Sequence, residues 1–200
     1  MAVSLQKVSK GQKVSLEKSV KNALIGIGWS NDLDLDVSVF CVGANGLCSN
    51  EKDFVFYGNL IHPSGAIIHS PDDTGDGDDG GDDGDREQIV VLFDKIPAYI
   101  EKIVVVATIY DEGPTFGEVK GAYVRVAKIK DSDVSAFKNG EDVQGETVIE
   151  YDLEEEFSSE TACVAAELYK SGSEWKFNAV GQGFEGGLAA MCANYGIDAE

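Results

Sequence analysis

The apolar residues of this 200-residue chain fall in short runs that are rich in Val, Ile and aromatic residues and bounded by Gly, Asn, Asp or Pro. Runs of this length and composition are typical of β-strands. Turn-forming sequences between them, at 43–46, 64–65 and 171–173, favour hairpin connections. The pattern predicts strands at 13–17, 23–29, 33–42, 53–57, 66–69, 88–93, 102–110, 119–130, 146–153, 162–169 and 174–182.

Helix-forming sequence is scarce. The best candidate is GGLAAMCAN at 186–194, which is followed by Gly196 as a stop signal. The polar stretch 130–145 predicts a loop, or a loop with a single helical turn around 134–138. We therefore expect an all-β fold, a two-sheet β-sandwich with a short C-terminal helix. With 43% hydrophobic residues, residues 1–200 are long enough to form one domain with its own core.

The net charge of the chain excludes two classes of partner. It is -20 at pH 7, with only 16 Lys and Arg residues scattered along the sequence. Nucleic-acid binding depends on clustered basic side chains, and anionic membrane surfaces repel an acidic protein. We expect neither nucleic-acid binding nor direct membrane insertion.

The cysteines and the N-terminal sequence favour a cytoplasmic location. Cys41, Cys48, Cys163 and Cys192 form no CxxC pair, so thiolate metal binding is not expected. The N-terminus lacks a signal-peptide core, and no apolar stretch approaches the roughly 20 residues of a membrane span. Unpaired cysteines are typical of a reducing compartment.

Negative charge is concentrated in residues 72–87, DDTGDGDDGGDDGDRE, where nine of sixteen residues are carboxylates and five are Gly. Such a density of like charge requires water or cations to neutralise it. Glycines let the backbone turn its oxygens toward one point. This run indicates a hard cation with oxygen ligands, calcium first.

A second acidic motif, NDLDLD at 31–36, leads into a predicted strand. Side chains alternate along a strand, so Leu33, Leu35, Val37 and Val39 are expected on one face. The same alternation places Asp32, Asp34 and Asp36 on the other face. Neighbouring carboxylates would then be about 6 to 7 Å apart, a spacing that suits cation ligands.

Each acidic segment also has a plainer interpretation. The aspartate row can be the solvated face of a sheet, and the Gly-Asp run can be a disordered linker. The run lies between two predicted strands, however, and long internal loops are frequently functional. Neither segment has the helical flanks of an EF-hand or the nonapeptide period of an RTX repeat.

Motifs along nearly the whole chain resemble the TerD family of tellurite-resistance and stress proteins. They include GWSNDLDLDVSVF, DFVFYGNL, KIVVVATIYD, FGEVKGAYVRV, ETACVAAELYK, EWKFNAVGQGF and GGLAAMCANYGI, in this order. The resemblance implies a single TerD-like domain that is a cytoplasmic, calcium-binding β-sandwich. It also implies a role in resistance to tellurite and other stress, with partners among other tellurite-resistance proteins, one of them membrane-bound.

The resemblance also implies a set of calcium ligands. Matched residue by residue, the set is Asp34, Asp36, Asn59, Asp73, Asp76, Asp78, Asp85 and Glu87. Residues 79–84 look like extra length in the acidic loop, which leaves open which of its aspartates bind metal. The segment 130–145 also looks longer than usual and bears no obvious ligand. By itself, Asn59 would be an ordinary turn residue.

We expect a calcium-binding protein without enzymatic activity. Two alternatives stay open: a metal-dependent hydrolase or nucleotide-processing enzyme that uses the same aspartates, and a scaffold whose acidic loop docks a basic partner. The hydrolase needs a nearby base or cation, and the acidic segments offer only Arg86. His62 and His69 are the only histidines, and residues 62–65 are expected to form a turn.

Overall fold

Apolar residues of two six-stranded sheets meet in the centre of the protein, as seen in a computed structural model that describes residues 4–70, 84–141, 143–153 and 157–198. The strands are β1 (Gln6–Val8), β2 (Lys13–Ser15), β3 (Asn22–Gly28), β4 (Leu35–Val42), β5 (Phe54–Val55), β6 (Ile67–His69), β7 (Glu87–Leu92), β8 (Lys102–Ile109), β9 (Tyr123–Ile129), β10 (Glu146–Asp152), β11 (Ala162–Ser171) and β12 (Glu174–Phe184).

Sheet A has the strand order β1-β10-β9-β3-β7-β6, and sheet B has the order β2-β12-β11-β8-β4-β5. Within the described ranges, every pair of named strands is antiparallel except β1 with β10. The predicted hairpin at 171–173 is present, with Ser171 opposite Glu174 and Gly172 at φ 64°. A positive φ of this kind favours Gly at the turn.

Alternation along each strand sends one set of side chains into the core between the sheets. In β4, Leu35, Val37, Val39 and Cys41 are buried in this core. The intervening residues Phe40 and Val42 pack instead in a second cluster on the outer face of sheet B. Both faces of β4 are therefore covered, which explains why all eight of its residues are buried.

Two helices cover the outer faces of the sheets. Helix α1 (Asp131–Lys138) buries Val134 and Phe137 against sheet A, and α2 (Gly187–Asn194) buries Met191 and Cys192 against sheet B. No helix in the described ranges is long and apolar enough to cross a membrane.

The structure confirms the predicted two-sheet β-sandwich and its C-terminal helix. Several details differ, among them the following. Strand β1 was not predicted, since only Val8 of its three residues is buried and the sequence carries almost no signal. The segment expected as a loop or one turn contains the two-turn helix α1. Strand β4 begins at Leu35 rather than at 33.

Candidate functional site

The described end of the acidic run, residues 84–87, and the NDLDLD motif lie at one corner of the sandwich. The acidic loop leaves edge strand β6 and returns as β7, while the NDLDLD motif leads into β4 next to the edge of the other sheet. Nε2 of His69, the last residue of β6, lies 2.7 Å from the backbone oxygen of Val37 in β4. This contact joins the two sheets one residue from Asp36.

Only the last of the three aspartates predicted to form a row, Asp36, lies within β4. Pairing of β4 with β8 starts at Leu35 opposite Ile109, so Asp32 and Asp34 precede the strand. The backbone oxygen of Asp34 accepts a hydrogen bond from the N–H of Tyr110, the residue after β8, at 3.0 Å. Leu33 packs against the core between the sheets, as Leu35 and Val37 do, and the shared face of the three carboxylates stays a prediction.

Asp36 lies on the outer face of sheet B together with Ser38. Both side chains alternate with the core residues and are nearly covered, with exposed fractions of 8% and 1%. Thr108 is opposite Asp36 in β8, and its hydroxyl lies 3.5 Å from the Asp36 backbone oxygen. Within the described part of the chain, the Ser38 hydroxyl has no hydrogen-bond partner.

Glu87 lies on the opposite side of this corner, at the end of the core between the sheets, with 1% of its surface exposed. The Ser70 hydroxyl donates to its carboxylate at 3.2 Å, and Nδ1 of His69 is 3.7 Å away. Nδ1 also lies 2.6 Å from the Ser70 backbone oxygen. Both ring nitrogens of His69 thus face backbone carbonyl oxygens.

Asp85 is turned away from Asp36 and Glu87. Its carboxylate accepts hydrogen bonds from Arg125 at 2.5 and 2.7 Å, from Tyr123 at 3.0 Å and from Gln88 at 2.9 Å. It covers Gly26 on the outer face of sheet A. Burial and the nearby Asp85 carboxylate raise the pKa of the Tyr123 hydroxyl. Asp85 therefore forms a buried ion pair with Arg125, and its role as a metal ligand stays a prediction.

Asn59 closes the turn that follows β5. Its backbone pairs with Phe56, and its side-chain nitrogen donates to the Phe54 oxygen at 2.6 Å. The side-chain oxygen is the atom of this amide that can bind a cation.

The three remaining predicted ligands, Asp73, Asp76 and Asp78, lie outside the described residues. Within residues 4–70, 84–141, 143–153 and 157–198, no three His, Cys, Asp or Glu side chains converge closely enough to hold a metal ion. Asp36 and Glu87 supply buried carboxylates at this corner, but they do not complete a metal site with the other described residues.

Sequence reasoning gave His69 and Ser38 no role at this corner, which also contains Trp29. The Nε1–H of Trp29 donates to the Leu33 oxygen at 2.8 Å, and Arg86 lies over its ring. Ser38 follows Asp36 by two positions, which the strand period places on the same face. The spacing of Ser38 and Asp36 could therefore have been used to predict that they share a face. The contact between His69 and Val37 could not have been predicted from local sequence, because the two residues are far apart in the chain.

A second buried polar cluster surrounds Asp53. His62 Nε2 is 3.0 Å from this carboxylate and the Tyr99 hydroxyl 2.7 Å, and the Ser49 and Asn50 amides also donate to it. Burial alone would raise the pKa of Asp53, but these hydrogen bonds outweigh it and lower the pKa. Residues 62–65 form the expected turn, closed by the Gly65 N–H to the His62 oxygen.

The Ser64 hydroxyl lies 2.8 Å from His62 Nδ1. It also accepts from the Ala66 N–H at 3.1 Å within the same turn. The cluster therefore ties together the segment before β5, the turn before β6 and the segment before β8.

The four cysteines are free thiols. Cys41, Cys163 and Cys192 are buried, and Cys48 is partly exposed. Burial, with a smaller effect of the Asp53 charge, raises the pKa of Cys48 to about 12. A protonated thiol is a poor metal ligand.

Comparisons with known proteins agree on one family. The TerD domain matches residues 1–195. The uncharacterized protein YceE of Bacillus subtilis is 48% identical over 98% of this chain and 99% of its own length. Tellurium resistance protein TerD of Serratia marcescens is 43% identical over the full length of both proteins. General stress protein 16U of B. subtilis is 39% identical over 98% of each.

A solved structure shares the fold. The crystal structure of a homologue of the telluride resistance protein TerD from Streptomyces coelicolor superposes with a TM-score of 0.63 at 19% identity. The match covers 90% of this chain and 99% of that one.

Proposed function

Since this chain belongs to the TerD family, we propose that it is a calcium-binding protein that acts in the response to tellurite and other chemical stress. The observation that carries the calcium proposal is the meeting of two distant acidic segments at one corner, where His69 contacts Val37. Buried carboxylates from both segments, Asp36 and Glu87, lie at this corner.

The chemistry of the donors fits calcium. Asp34, Asp36 and Glu87 offer carboxylate oxygens, and Asn59 offers an amide oxygen. Calcium takes six to eight oxygen ligands and tolerates irregular geometry, whereas magnesium requires an octahedral set and keeps its waters. Bound calcium would supply positive charge to a chain whose net charge is -20.

The chain's own residues would prepare the corner for the ion. Pairing of β4 with β8 fixes Asp36, and the Ser70 hydroxyl orients the Glu87 carboxylate. Arg125 holds Asp85 on the other face of sheet A, which anchors the end of the acidic loop. The further oxygens would come from the loop, which includes Asp73, Asp76 and Asp78.

A calcium titration followed by thermal unfolding tests this proposal. Because calcium binds the folded chain, saturation at a hundredfold excess over Kd should stabilise it by about 2.7 kcal/mol. Magnesium should do less, and Asp36→Asn should weaken the response. A melting temperature that is insensitive to calcium after treatment with EGTA would contradict the proposal.

We further propose a cytoplasmic location and partners among other tellurite-resistance proteins, one of them membrane-bound. Four free cysteines agree with a reducing compartment. If calcium orders the acidic loop, the charge of the surface that these partners contact would depend on calcium. Pull-down with purified candidate proteins, with and without EGTA, distinguishes calcium-dependent docking from constitutive docking by the acidic loop.

A metal-dependent hydrolase is a weaker proposal. It needs a cation near the metal to bind phosphate or stabilise a transition state. Arg86 lies over Trp29 and Arg125 pairs with Asp85, so both of these side chains have other contacts. Turnover of a phosphoester that depends on Asp36 would favour the hydrolase over the binding protein.

A further inference from the structure

We propose that the Ser38 hydroxyl is a further oxygen ligand of the cation that Asp36 binds, an inference that rests on the proposed calcium function. Ser38 follows Asp36 by two residues in β4, so the two side chains lie on the same face of sheet B. That face turns away from the core between the sheets, since Leu35, Val37 and Val39 point into the core.

The hydroxyl of Ser38 is buried without a partner. Only 1% of the residue is exposed, and no hydrogen bond to its Oγ is present within the described ranges. A buried polar atom without a partner costs free energy, and such atoms call for a structural or functional explanation. A cation coordinated by the hydroxyl oxygen would provide such an explanation.

The described residues that surround Ser38 in the sheet are mainly apolar. Val106 lies directly opposite in β8, and Phe40 is the next residue on the same face. These side chains are apolar. The nearest polar positions on this face are Asp36 and Thr108, which are opposite each other in the register of β4 and β8.

The chemistry of the pair favours a hard cation. A carboxylate and a hydroxyl on one side of a strand offer one charged and one neutral oxygen. Calcium uses neutral oxygens readily, because its high coordination number would otherwise require more negative charge than the site can tolerate. Ser38 would thus add a ligand without adding charge to an already acidic corner.

This assignment predicts two effects of opposite sign for Ser38→Ala. In EGTA the variant should unfold at the same temperature as the parent or at a higher one, because an unsatisfied hydroxyl is removed. In calcium it should bind about tenfold more weakly by isothermal titration calorimetry. Ser38→Cys, which replaces a hard oxygen with a soft sulfur of similar size, should also lose calcium affinity.

Ser64→Ala is the matched control. Its hydroxyl has partners, His62 Nδ1 at 2.8 Å and the Ala66 N–H at 3.1 Å, in the turn before β6. This variant should unfold at a lower temperature in EGTA and keep the parent calcium affinity. The two variants should therefore show opposite results. Ser38→Ala should lose calcium affinity but not stability in EGTA, and Ser64→Ala should lose stability in EGTA but not calcium affinity.

The outcomes separate this inference from the proposed function. If the parent binds calcium and Ser38→Ala binds it equally well, the Ser38 assignment is overturned and the calcium function stands. If Ser38→Ala lowers stability in EGTA as much as in calcium, the hydroxyl is structural and the assignment is also overturned. If the parent itself does not bind calcium, the proposed function fails first.

Discussion

The guanidinium of Arg86 lies 4.9 Å from the centroid of the Trp29 ring. Arg86 belongs to the end of the acidic loop, and Trp29 donates through Nε1 to the Leu33 oxygen, one residue before Asp34. One aromatic side chain therefore contacts both segments that are predicted to bind calcium. A cation over an indole ring contributes about 0.5 to 2 kcal/mol, and we expect a change at either segment to alter the surroundings of Trp29.

We expect calcium to change the fluorescence of Trp29. The second tryptophan, Trp175, is the natural control, because it packs against Phe93 and Lys170 elsewhere in the protein. Trp175→Phe should keep the calcium-dependent change and Trp29→Phe should lose it, while calorimetry verifies that both variants still bind calcium. A response carried by Trp175 would contradict the proposed location of the site.

Asp85→Asn should lower stability more than it lowers calcium affinity. It removes the ionic partner of Arg125, whose side chain is only 12% exposed. Breaking a buried ion pair costs about 3 to 5 kcal/mol, and the lower end is expected because Asn still accepts one hydrogen bond. Urea unfolding in EGTA measures this loss.

Asp111→Asn is the control for this experiment, since Asp111 is exposed and should change stability by less than about 0.5 kcal/mol. If Asp85→Asn left stability unchanged and weakened calcium binding as strongly as Asp36→Asn, Asp85 would be a ligand, as the family resemblance implies.

Gly26→Ala should displace the end of the acidic loop. A Cβ at this position would overlap the Asp85 carboxylate, which covers Gly26 from the loop side. Overpacking of this kind costs about 1 to 3 kcal/mol. The substitution should be tolerated far better in an Asp85→Ala background, because the obstructing carboxylate is then absent. Urea unfolding of the four proteins of this cycle gives the coupling, and additive losses would exclude the proposed clash.

Stability should fall at low pH through Asp53. Its pKa in the folded protein is lowered, chiefly by hydrogen bonds from Tyr99 and His62 that outweigh the effect of burial. A carboxyl with a lowered folded pKa stabilises the protein above its unfolded pKa, and this contribution is lost as pH falls through the folded pKa. The loss should therefore occur below about pH 4.

Urea unfolding at pH values from 7 to 3 tests the role of Asp53. Asp53→Asn should be less stable at pH 7 and should lose less stability on acidification than the parent. Glu160→Gln is a suitable control: backbone N–H groups lower the pKa of Glu160 too, but Glu160 is only partly buried, whereas Asp53 is fully buried. An acid profile of Asp53→Asn that runs parallel to the parent would contradict the prediction.

Local sequence was sufficient for the elements with strong patterns. The hairpin of β11 and β12 has two long apolar runs and a Gly at the turn, and it was predicted nearly to the residue. Strand β1 was missed, since its pairing with β10 depends on a contact about 140 residues away in sequence. Helix α1 was underestimated because its buried face consists mainly of Val134 and Phe137.

Local sequence was less informative about the candidate site than about the strands. The sequence identified the acidic segments, but it treated eight positions as one ligand set. The structure brings Asp36 and Glu87 to one corner and places Asp85 on the outer face of sheet A with Arg125. Asp34 lies before the strand that contains Asp36.

The sequence by itself determined the two-sheet architecture and the acidic character, because strand periodicity and side-chain type are local properties. Only the tertiary structure decided which acidic side chains share a face and which are held by another residue. Strand boundaries and ion pairs depend on partners far along the chain, such as Ile109 for Leu35 and Arg125 for Asp85. Those long-range contacts also left the Ser38 hydroxyl buried beside Asp36, a fact that no local pattern records.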